Sequence, residues 1–402
     1  MQQPFLKAVP ILEMIEEKGF EAYFVGGSVR DFLLGREIAD VDIATSALPG
    51  ELKTIFPHTA DIGIQHGTIL VIFNGTPYEI TTFRTESGYT DYRRPDTVEF
   101  VRSLTEDLQR RDFTMNAIAM DKAGRLIDPF HGQSAISKKE IVTVGPPEER
   151  FGEDALRIMR AVRFVGQLGF VIEPGTLAAI SKLAPLLDNI AVERKLAEFE
   201  KLISGTYRSE ALALMGETGI SNWLPGLDGQ ESKLLKLAGC RLGHLSTEEM
   251  WVLLTHVLEL DVKTAEPFLR KWKLPGKKIR VCLKVLHWLH YRLNNSWTPQ
   301  MAYLSGKANM LSAEKVYNTL SGSGPAPMED LEEMFEQLPI KERAELSVAG
   351  KDLIEWFGKG PGPWIKDVLN ETEEAVVAGR IANKKADIRE WLVQCKQNLG
   401  KD

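Results

Sequence analysis

The stretch Val25-Gly-Gly-Ser-Val-Arg-Asp-Phe-Leu-Leu-Gly35, followed by Ala39-Asp-Val-Asp-Ile-Ala-Thr45, decides the fold of the first third of this chain. A glycine pair before a short helix lets the backbone approach a phosphate, and the helix start offers N–H donors to it. Asp40 and Asp42 lie two residues apart on a predicted strand, so both carboxylates are expected on one face. Two hard oxygen ligands beside a phosphate cradle predict a Mg²⁺ site for nucleotidyl transfer.

The residues around this stretch predict an α+β fold, with a small α/β head built on a mixed sheet. Residues 84–97 are polar, contain Gly and Pro, and are expected to form a long functional loop. Residues 5–18 are expected to be helical, with a kink or a restart at Pro10. Asn74-Gly75-Thr76-Pro77 lies between two apolar runs and predicts a hairpin connection. Strands are predicted at Glu21–Val25, Val41–Ala44, Thr68–Phe73 and Tyr78–Phe83, and helices at Val29–Leu34 and Pro49–Phe56.

The composition limits the class of protein. With 402 residues the chain exceeds one ordinary core, so two to four domains are expected. The N-terminus shows no signal-peptide pattern, and no apolar run reaches the ~20 residues of a membrane span, which predicts a cytoplasmic protein. The cysteines are few and far apart, which predicts reduced thiols rather than a disulfide or a zinc site.

The charge pattern leaves nucleic-acid binding open. A net charge of −7 argues mildly against a general nucleic-acid binder, because phosphate contacts need clustered Lys and Arg side chains. Residues 270–284, however, carry seven Lys and Arg. A solvated helix face and a contact with an RNA backbone explain this run equally well.

The character of the chain changes after Pro146-Pro147. From there, apolar residues recur at helical spacing almost to the end, interrupted by Pro and Gly breakers. The sequence therefore predicts an α/β head followed by a long, all-helical remainder.

Glu79 extends the acidic pair, because its predicted strand can lie beside Asp42. Three carboxylates from neighbouring strands can hold two metal ions. Asp40, Asp42 and Glu79 are therefore candidate catalytic residues, and Asp40 and Asp42 are the candidate metal ligands. The alternative is a solvated strand end, which is a stronger alternative for Glu79 than for the aspartates.

The second candidate site is Arg110-Arg-Asp-Phe-Thr-Met-Asn116. Adjacent arginines flanking an aspartate suit a triphosphate and a ribose hydroxyl. Asp112 would alternatively cap a helix N-terminus. The two roles are compatible only if the side chain of Asp112 points outward. Arg111 and Asp112 are thus candidate nucleotide-binding residues.

The third candidate site lies in residues 153–163, where apolar residues and arginines recur at helical spacing on different faces. Asp154 and Arg157 are three residues apart and therefore neighbours on a helix surface. The simplest interpretation is an exposed ion pair worth ~0.3–0.5 kcal/mol. Arg160 and Arg163 continue the row of arginines.

Asp154 and Arg157 also suit recognition of a nucleotide base. Cytosine and adenine present an amino donor beside a ring-nitrogen acceptor, which matches a carboxylate and a guanidinium. Guanine and uracil present the reversed pattern, which leaves buried polar groups opposed or unpaired at a cost of ~1–3 kcal/mol each. One aspartate and one arginine would thus accept C and A and reject G and U.

Together, these motifs resemble those of the bacterial class II CCA-adding enzymes, the tRNA nucleotidyltransferases of the polymerase-β-like superfamily. Gly-Gly-Ser-Val-Arg-Asp, Asp-Val-Asp, Arg-Arg-Asp-Phe-Thr-Met-Asn and Glu-Asp-Ala-Leu-Arg occur in the family's order and spacing. The resemblance spans the chain, although the helical remainder carries no comparably sharp motif. It implies template-independent addition of C, C and A to the 3′ end of tRNA from CTP and ATP, with Mg²⁺ as cofactor and pyrophosphate as product.

The resemblance also implies a division into four parts. A nucleotidyltransferase head would occupy residues 1–145, a neck 146–205, a body 206–300 and a tRNA-binding tail 301–402. Body and tail would grip the tRNA by its shape and phosphates. No membrane contact is implied, and formation of a homodimer is left open.

The family's functional residues are implied at matching positions. The segment 84–97 matches the flexible head loop that the family uses when it changes from C to A addition. Asp40 and Asp42 would ligate the metal. Gly27, Arg30 and Arg111 would hold the nucleotide, Asp154 and Arg157 would read its base, and Arg160 and Arg163 would support them.

Two alternatives stay open. Bacterial poly(A) polymerases share the catalytic motifs, but they carry a basic Gly-Arg-Arg-Phe type of stretch where this chain has Asp61-Ile-Gly-Ile-Gln-His-Gly-Thr-Ile-Leu70. A catalytically inactive RNA-binding relative is the second alternative. The intact Asp40, Asp42, Arg30 and Arg111 argue against it.

Overall fold

The computed structural model describes residues 1–88, 97–322 and 327–399. The chain forms two compact units, the first from residues 1–238 with 271–273 and the second from 239–270 with the chain from 274 onward. The finer division into head, neck, body and tail stays a prediction.

A mixed sheet forms the centre of the head. Its strand order is β3-β4-β5-β2-β1-β8-β9, where β2 and β5 are parallel and the other neighbours antiparallel, which confirms the predicted mixed sheet. The strands of the described residues are β1 (Ala22–Val25), β2 (Asp42–Thr45), β3 (Thr59–Gly63), β4 (Thr68–Phe73), β5 (Thr76–Thr82), β6 (Arg84–Ser87), β7 (Thr97–Phe100), β8 (Ala119–Met120), β9 (Leu126–Ile127), β10 (Glu140–Ile141) and β11 (Val171–Ile172).

The hairpin predicted across Asn74–Pro77 joins β4 to β5, but its turn consists of Asn74 and Gly75 alone, because β5 already begins at Thr76. Both turn residues have positive φ, 49° and 76°, which is the backbone that a two-residue hairpin with a matching twist requires. Ile69 and Val71 of β4 are fully buried, whereas Ile72 is exposed. This alternation sets the register, because a slip by one residue would expose the apolar face.

Helix α1 (Phe5–Glu16) runs through Pro10 as one element. Of the two outcomes expected at Pro10, the restart is therefore wrong, and the kink stays a prediction. A proline inside a helix costs roughly 3 kcal/mol because a backbone hydrogen bond is lost. The buried apolar face of α1 offsets this cost, and its Phe5 packs against Phe24 of β1 with 4.9 Å between ring centroids.

The segment 84–97 is not a loop over its whole length. Strand β6 pairs with β7 in an antiparallel ribbon, from Arg84↔Phe100 to Ser87↔Thr97. The loop prediction is therefore wrong for the residues at both ends of the segment. Residues 89–96 lie outside the described residues.

The helices of the head lie close to their predicted positions. The predicted helices at Val29–Leu34 and Pro49–Phe56 correspond to α2 and α3. The head contains α2 (Gly27–Leu33), α3 (Pro49–Ile55), α4 (Leu104–Gln109) and α5 (Gly132–Lys138).

The rest of the first unit is helical, except that β11 pairs in parallel with β10. This two-residue strand is an exception to the all-helical remainder predicted beyond Pro146-Pro147. Helix α7 is buried along most of its length. The helices are α6 (Pro147–Glu153), α7 (Leu156–Leu168), α8 (Pro174–Leu183), α9 (Val192–Ile203), α10 (Arg208–Glu217) and α11 (Glu231–Ala238).

The second unit is helical throughout its described residues. Among the described residues, no helix has the length and apolarity that crossing a membrane requires. The remaining helices are α12 (Thr247–Val257), α13 (Val262–Lys271), α14 (Gly276–Arg292), α15 (Pro299–Ser305), α16 (Lys307–Leu320), α17 (Glu329–Glu336), α18 (Gly350–Phe357), α19 (Trp364–Val377) and α20 (Lys385–Leu399). The last residue of α13, Lys271, is counted with the first unit.

The basic segment 270–284 is partly neutralised by the protein itself. Arg270 pairs with Glu266 at 2.6 Å, and Lys278 lies 3.4 Å from Glu248. These pairs agree with a solvated helix face for part of the segment. Contact of the other basic residues with RNA stays a prediction.

Candidate active site

The glycine pair shapes the turn between β1 and α2. Gly26 has a φ of +72°, which side chains rarely adopt. A Cβ atom at this position would lie 3.2 Å from Nη1 of Arg111 and 3.5 Å from Oδ2 of Asp42. Glycine therefore lets a guanidinium and a carboxylate approach the same turn of backbone.

Asp40, Asp42 and Glu79 come together at the end of the sheet. Strand β2 begins at Asp42, so Asp40 precedes the strand and the prediction that both aspartates lie on it is wrong. Both nevertheless line one cavity together with Glu79. Glu79 lies beside Asp42 because β2 and β5 run parallel with Ile43 opposite Ile80. The predicted proximity of the three carboxylates is thus confirmed.

The electrostatics of this acidic cluster favour a cation. Burial raises the pKa of Asp42 although part of the residue is exposed, Arg111 lowers it, and the negative charges of Glu79 and Asp40 raise it further. Such mutual repulsion is relieved by a bound cation. Within the three described ranges, no group of three or more His, Cys, Asp or Glu side chains is arranged to hold a metal ion. A cation at Asp40 and Asp42 would therefore need further oxygen ligands from a phosphate or from water.

Arg30 projects from α2 into the site beside the glycine turn. Its guanidinium pairs with Asp31 at 2.9 Å and donates to Oδ1 of Asn116 at 2.8 Å. It also lies 5.1 Å from the ring centroid of Phe164. These contacts hold the side chain in place before any ligand binds.

Asp107, on α4, orients the two adjacent arginines. It is 1% exposed and accepts hydrogen bonds from Arg110 at 2.7 Å and from Arg111 at 3.0 Å. Burial acts to raise the pKa of Asp107, but the charges of Arg111 and Arg110 outweigh it and hold the pKa below its usual value. The carboxylate thus stays ionised and fixes both guanidinium groups.

Asp112 points into the protein, not outward. It is 8% exposed; one oxygen accepts from the Phe113 N–H at 2.8 Å and from Asn116 at 3.1 Å, while the other accepts from Nε of Arg160 at 2.7 Å. It caps no helix, because the adjoining 3₁₀ turn has Phe113 at its N-cap position. Against the effect of burial, Arg160 and the other donors lower its pKa to about 2.

Asp154 lies in the short non-helical connection between α6 and α7. This residue has extended backbone, with φ −135° and ψ 102°. Its carboxylate receives two hydrogen bonds from Arg194, at 2.8 Å and 3.3 Å, and one from the Leu156 N–H at 3.1 Å. The predicted ion pair between Asp154 and Arg157 is not formed, because a residue forty positions away supplies the partner.

Arg157 is buried, with 7% of its surface exposed, and ties the start of α7 to the head. Its guanidinium donates to Glu153 at 2.5 Å and to the carbonyl oxygens of Arg150 and Arg110 at 3.0 Å. The prediction of an exposed pair is wrong for this residue. Because Arg110 is next to Arg111, Arg157 connects the third candidate site with the second.

Phe164, on α7, contacts several of the arginines. The guanidinium of Arg163 lies 3.9 Å from its ring centroid and that of Arg160 lies 5.8 Å away. Arg163 also pairs with the buried Glu198 at 2.5 Å. Desolvation lowers the pKa of Arg163. The ring of Phe164 and the buried carboxylate of Glu198 thus hold the guanidinium of Arg163 beside the cavity.

These side chains surround one cavity of about 570 Å³, within the range of about 300–1,000 Å³ usual for small-molecule sites. Eight arginines and one lysine face four carboxylates in its lining, although the whole chain is acidic. The cavity thus suits a polyanion such as a nucleoside triphosphate. The predicted site residues that line it are Gly27, Arg30, Asp42, Arg111, Asp112, Asp154, Arg157, Arg160 and Arg163.

Sequence reasoning missed several lining residues. Arg194 and Lys201 lie on α9, Phe164 looks like an ordinary core residue, and Arg84 and Glu86 fall in the segment predicted as a loop. Arg84, Glu86 and Arg110 form an ion-pair network in which Glu86 lies 2.8 Å from Arg84 and 3.1 Å from Arg110. The sequence pattern that could have identified Arg84 and Glu86 is two charged residues two positions apart. On a strand such as β6, this spacing directs both side chains to one face.

Three family models match successive parts of the chain. The Poly A polymerase head domain matches residues 22–142. The model described as "Probable RNA and SrmB- binding site of polymerase A" matches residues 169–230. A model for tRNA nucleotidyltransferase domain 2 matches residues 244–392.

Similar curated proteins span the full length. The CCA-adding enzyme of Geobacillus sp. (strain WCH70) is 50% identical over 398 residues, which cover 98% of both chains. The CCA-adding enzyme of Bacillus cereus (strain B4264) is 47% identical over 97% of this chain and 98% of that protein. Identity at this level over both units shows the family.

Solved structures agree with these relatives. The Bacillus stearothermophilus CCA-adding enzyme, solved in complex with CTP, is 47% identical, covers 100% of both chains and has a TM-score of 0.92. The Thermotoga maritima CCA-adding enzyme, complexed with tRNA, is 19% identical with a TM-score of 0.64, over 98% of this chain and 96% of that one, and shows the fold alone. The motifs, the arginine-lined cavity beside the acidic cluster and the full-length similarity lead to one conclusion: the chain belongs to the family of CCA-adding enzymes.

Proposed function

We propose that the arginine-lined cavity binds CTP or ATP, and that the chain adds C, C and A to the 3′ end of tRNA with release of pyrophosphate. The observation that carries the proposal is the position of this cavity beside Asp42. A triphosphate needs clustered guanidinium donors, and nucleotidyl transfer needs carboxylates next to the reacting phosphate. The relative solved with CTP supports the choice of ligand.

Asp40 and Asp42 are proposed to hold Mg²⁺, with Glu79 beside them. Enzymes of this family depend on metal ions. The hard oxygen donors of Asp40 and Asp42, with the negative charge of Glu79 close to Asp42, suit a small divalent cation. When bound, the ion would lower the pKa of the attacking 3′-hydroxyl and stabilise the charge that develops on the departing pyrophosphate.

Arg30 and Arg111 are proposed to hold the triphosphate, with Gly27 allowing the backbone to approach it. Both arginines are fixed by neighbouring groups, Arg30 by Asn116 and Arg111 by Asp107. Donors that are already in place cost little reorganisation when charge develops on a phosphate. The same argument gives Asp112 an indirect role, because it orients Arg160 and Asn116.

Asp154 and Arg157 are proposed to read the base. Both line the cavity, and a backbone hydrogen bond of 3.0 Å from the Arg157 N–H to the Asp154 carbonyl joins them, while each side chain pairs with other groups. A carboxylate has about four acceptor positions, and Arg194 and the Leu156 N–H use three at Asp154. Arg157 has five N–H donors, and its contacts with Glu153, Arg150 and Arg110 engage three. An acceptor at Asp154 and donors at Arg157 are thus left for the edge of cytosine or adenine.

The helical remainder is proposed to bind the tRNA, through the body and tail predicted at residues 206–300 and 301–402. Two family models named for RNA binding and tRNA nucleotidyl transfer support this, since they cover residues 169–230 and 244–392. The exposed lysines of segment 270–284 are the candidate phosphate contacts. A cytoplasmic location stays a prediction.

The decisive experiment offers a tRNA that lacks its last three nucleotides, together with CTP, ATP and Mg²⁺, and sequences the product ends. We expect addition of C, C and A followed by a stop. Long A tails made from ATP alone on unstructured RNA would indicate a poly(A) polymerase. The absence of any incorporation would indicate an inactive RNA-binding relative.

A further inference from the structure

A second cavity, of about 500 Å³, adjoins the acidic cluster. The β4–β5 hairpin, the start of α1 and the residues that lead into β2 enclose it. Among the described residues, Asp42 alone lines both this cavity and the nucleotide cavity. The residues on which the argument rests are Lys7, Asp40, Leu70, Pro77 and Glu79.

We propose that this second cavity receives the 3′-terminal nucleotide of the tRNA and that Lys7 binds its phosphodiester. The inference rests on the proposed function and adds the place of the primer to it. In an in-line displacement, the attacking oxygen and the leaving group lie on opposite sides of the reacting phosphorus. The arginines that would hold the pyrophosphate line the first cavity, and the second cavity contains none of them but shares Asp42, so we place the attacking hydroxyl in the second cavity.

The lining of the cavity matches the chemistry of a terminal nucleotide. Leu70 and Pro77 offer apolar surface for a ribose and a base, and the neighbouring Ile72 is 46% exposed on the same strand pair. Asp40 and Glu79 lie where a reacting hydroxyl is needed. Lys7 is the one basic residue in the described lining, and its side chain is exposed, so it does not pack in the hydrophobic core. The lining thus offers a cation for a phosphate, apolar surface for a sugar and a base, and carboxylates for the 3′-hydroxyl.

The bond changes are those of ordinary nucleotidyl transfer. The 3′-oxygen of the primer forms a bond to the α-phosphorus of CTP or ATP, and the bond from that phosphorus to the pyrophosphate oxygen breaks. The hydroxyl proton is released to solvent. Lys7 takes no part in these changes, so it is a binding residue that places the primer.

The test uses the full chain with a tRNA that ends in CC and with ATP. For Lys7→Glu we expect kcat/KM for tRNA to fall by about tenfold, since one charge-assisted phosphate contact is replaced by repulsion. The equilibrium dissociation constant for CTP should stay within about twofold, because Lys7 lies outside the nucleotide cavity. Lys18→Glu is the matched control, since this exposed lysine follows α1, lines neither cavity and gives the same change in charge.

A substrate change separates a phosphate contact from a structural effect. Replacing the last internucleotide phosphate of the primer by a neutral methylphosphonate should reduce kcat/KM of the parent enzyme by about tenfold. The same replacement should change Lys7→Ala by less than about twofold, because the contact is already lost.

Three results would overturn the inference. The first is a parent-like kcat/KM for tRNA in Lys7→Glu. The second is an equal loss of CTP binding, which would assign Lys7 to the nucleotide site. The third is an equal effect of the methylphosphonate on parent and Lys7→Ala. If the parent itself adds no nucleotide, the proposed function fails first and this inference fails with it.

Discussion

Removal of the Asp154 carboxylate tests whether protein side chains choose the base. In Asp154→Ala, the acceptor proposed for the amino group of cytosine and adenine is lost, whereas Arg157 keeps its contacts with Arg110 and Arg150. We expect slower incorporation of CTP together with weaker exclusion of UTP. A variant that merely lost a structural ion pair would be slower with both nucleotides by the same factor.

The size of the effect follows from the contacts. Uracil reverses both polar contacts, and each reversed contact costs ~1–3 kcal/mol. Asp154→Ala removes one of them, so the ratio of kcat/KM for CTP to that for UTP should fall by about 5- to 150-fold, at 1.36 kcal/mol for each factor of ten. The remaining discrimination should come from Arg157.

The assay measures kcat/KM for CTP, UTP and GTP with a tRNA that lacks its terminal CCA. Asp154→Ala also leaves the Arg194 guanidinium without its carboxylate partner. The double variant Asp154→Ala/Arg194→Met removes this unpaired guanidinium and should show the same loss of discrimination. Asp188→Ala is the matched control, since Asp188 is exposed and lies outside the cavity. A variant at Asp154 that still excludes GTP and UTP as strongly as the parent would refute the base-reading proposal.

Two further predictions concern the acidic cluster and Asp112. Asp40→Asn should abolish incorporation yet leave the dissociation constant for tRNA within about twofold in a filter-binding assay, because the RNA is gripped elsewhere; a rate like that of the parent would remove the metal assignment. The pKa of Asp112 is lowered from 3.8 to about 2, so its ionised form stabilises the folded state by about 2 kcal/mol at pH 7. That contribution is complete above about pH 4 and is lost as the pH falls through about 2, so urea-unfolding curves of Asp112→Asn and the parent should differ at pH 7 and converge in acid; an equal difference at pH 7 and pH 2 would contradict this cause.

The local chemistry of the head could be predicted from the sequence because it depends on near neighbours. The hairpin of β4 and β5 and the glycine turn before α2 depend on backbone preferences that a few residues express. The closeness of Asp42 and Glu79 followed from assigning them to neighbouring strands. These features are confirmed.

The partners of the site residues could not be predicted in the same way. Asp154 was expected to meet Arg157, three positions away, but it pairs with Arg194 because the chain leaves the helix at Asp154 and turns the carboxylate toward α9. Asp112 was expected to cap a helix or point outward, but it binds Arg160, forty-eight positions away. In both cases, helix packing brings a distant guanidinium to a buried carboxylate.

The chemical groups of the site, namely glycines, carboxylates and arginines in a recognisable order, can be identified from the sequence alone. The reason is that motif chemistry depends on residue type and short spacing. The partner that each carboxylate holds, the groups that face a cavity and the place of Asp42 in the lining of both cavities emerge from the folded chain alone. Those outcomes depend on how helices and strands far apart in the chain pack together, because a buried charge must find its partner wherever the fold brings one within reach.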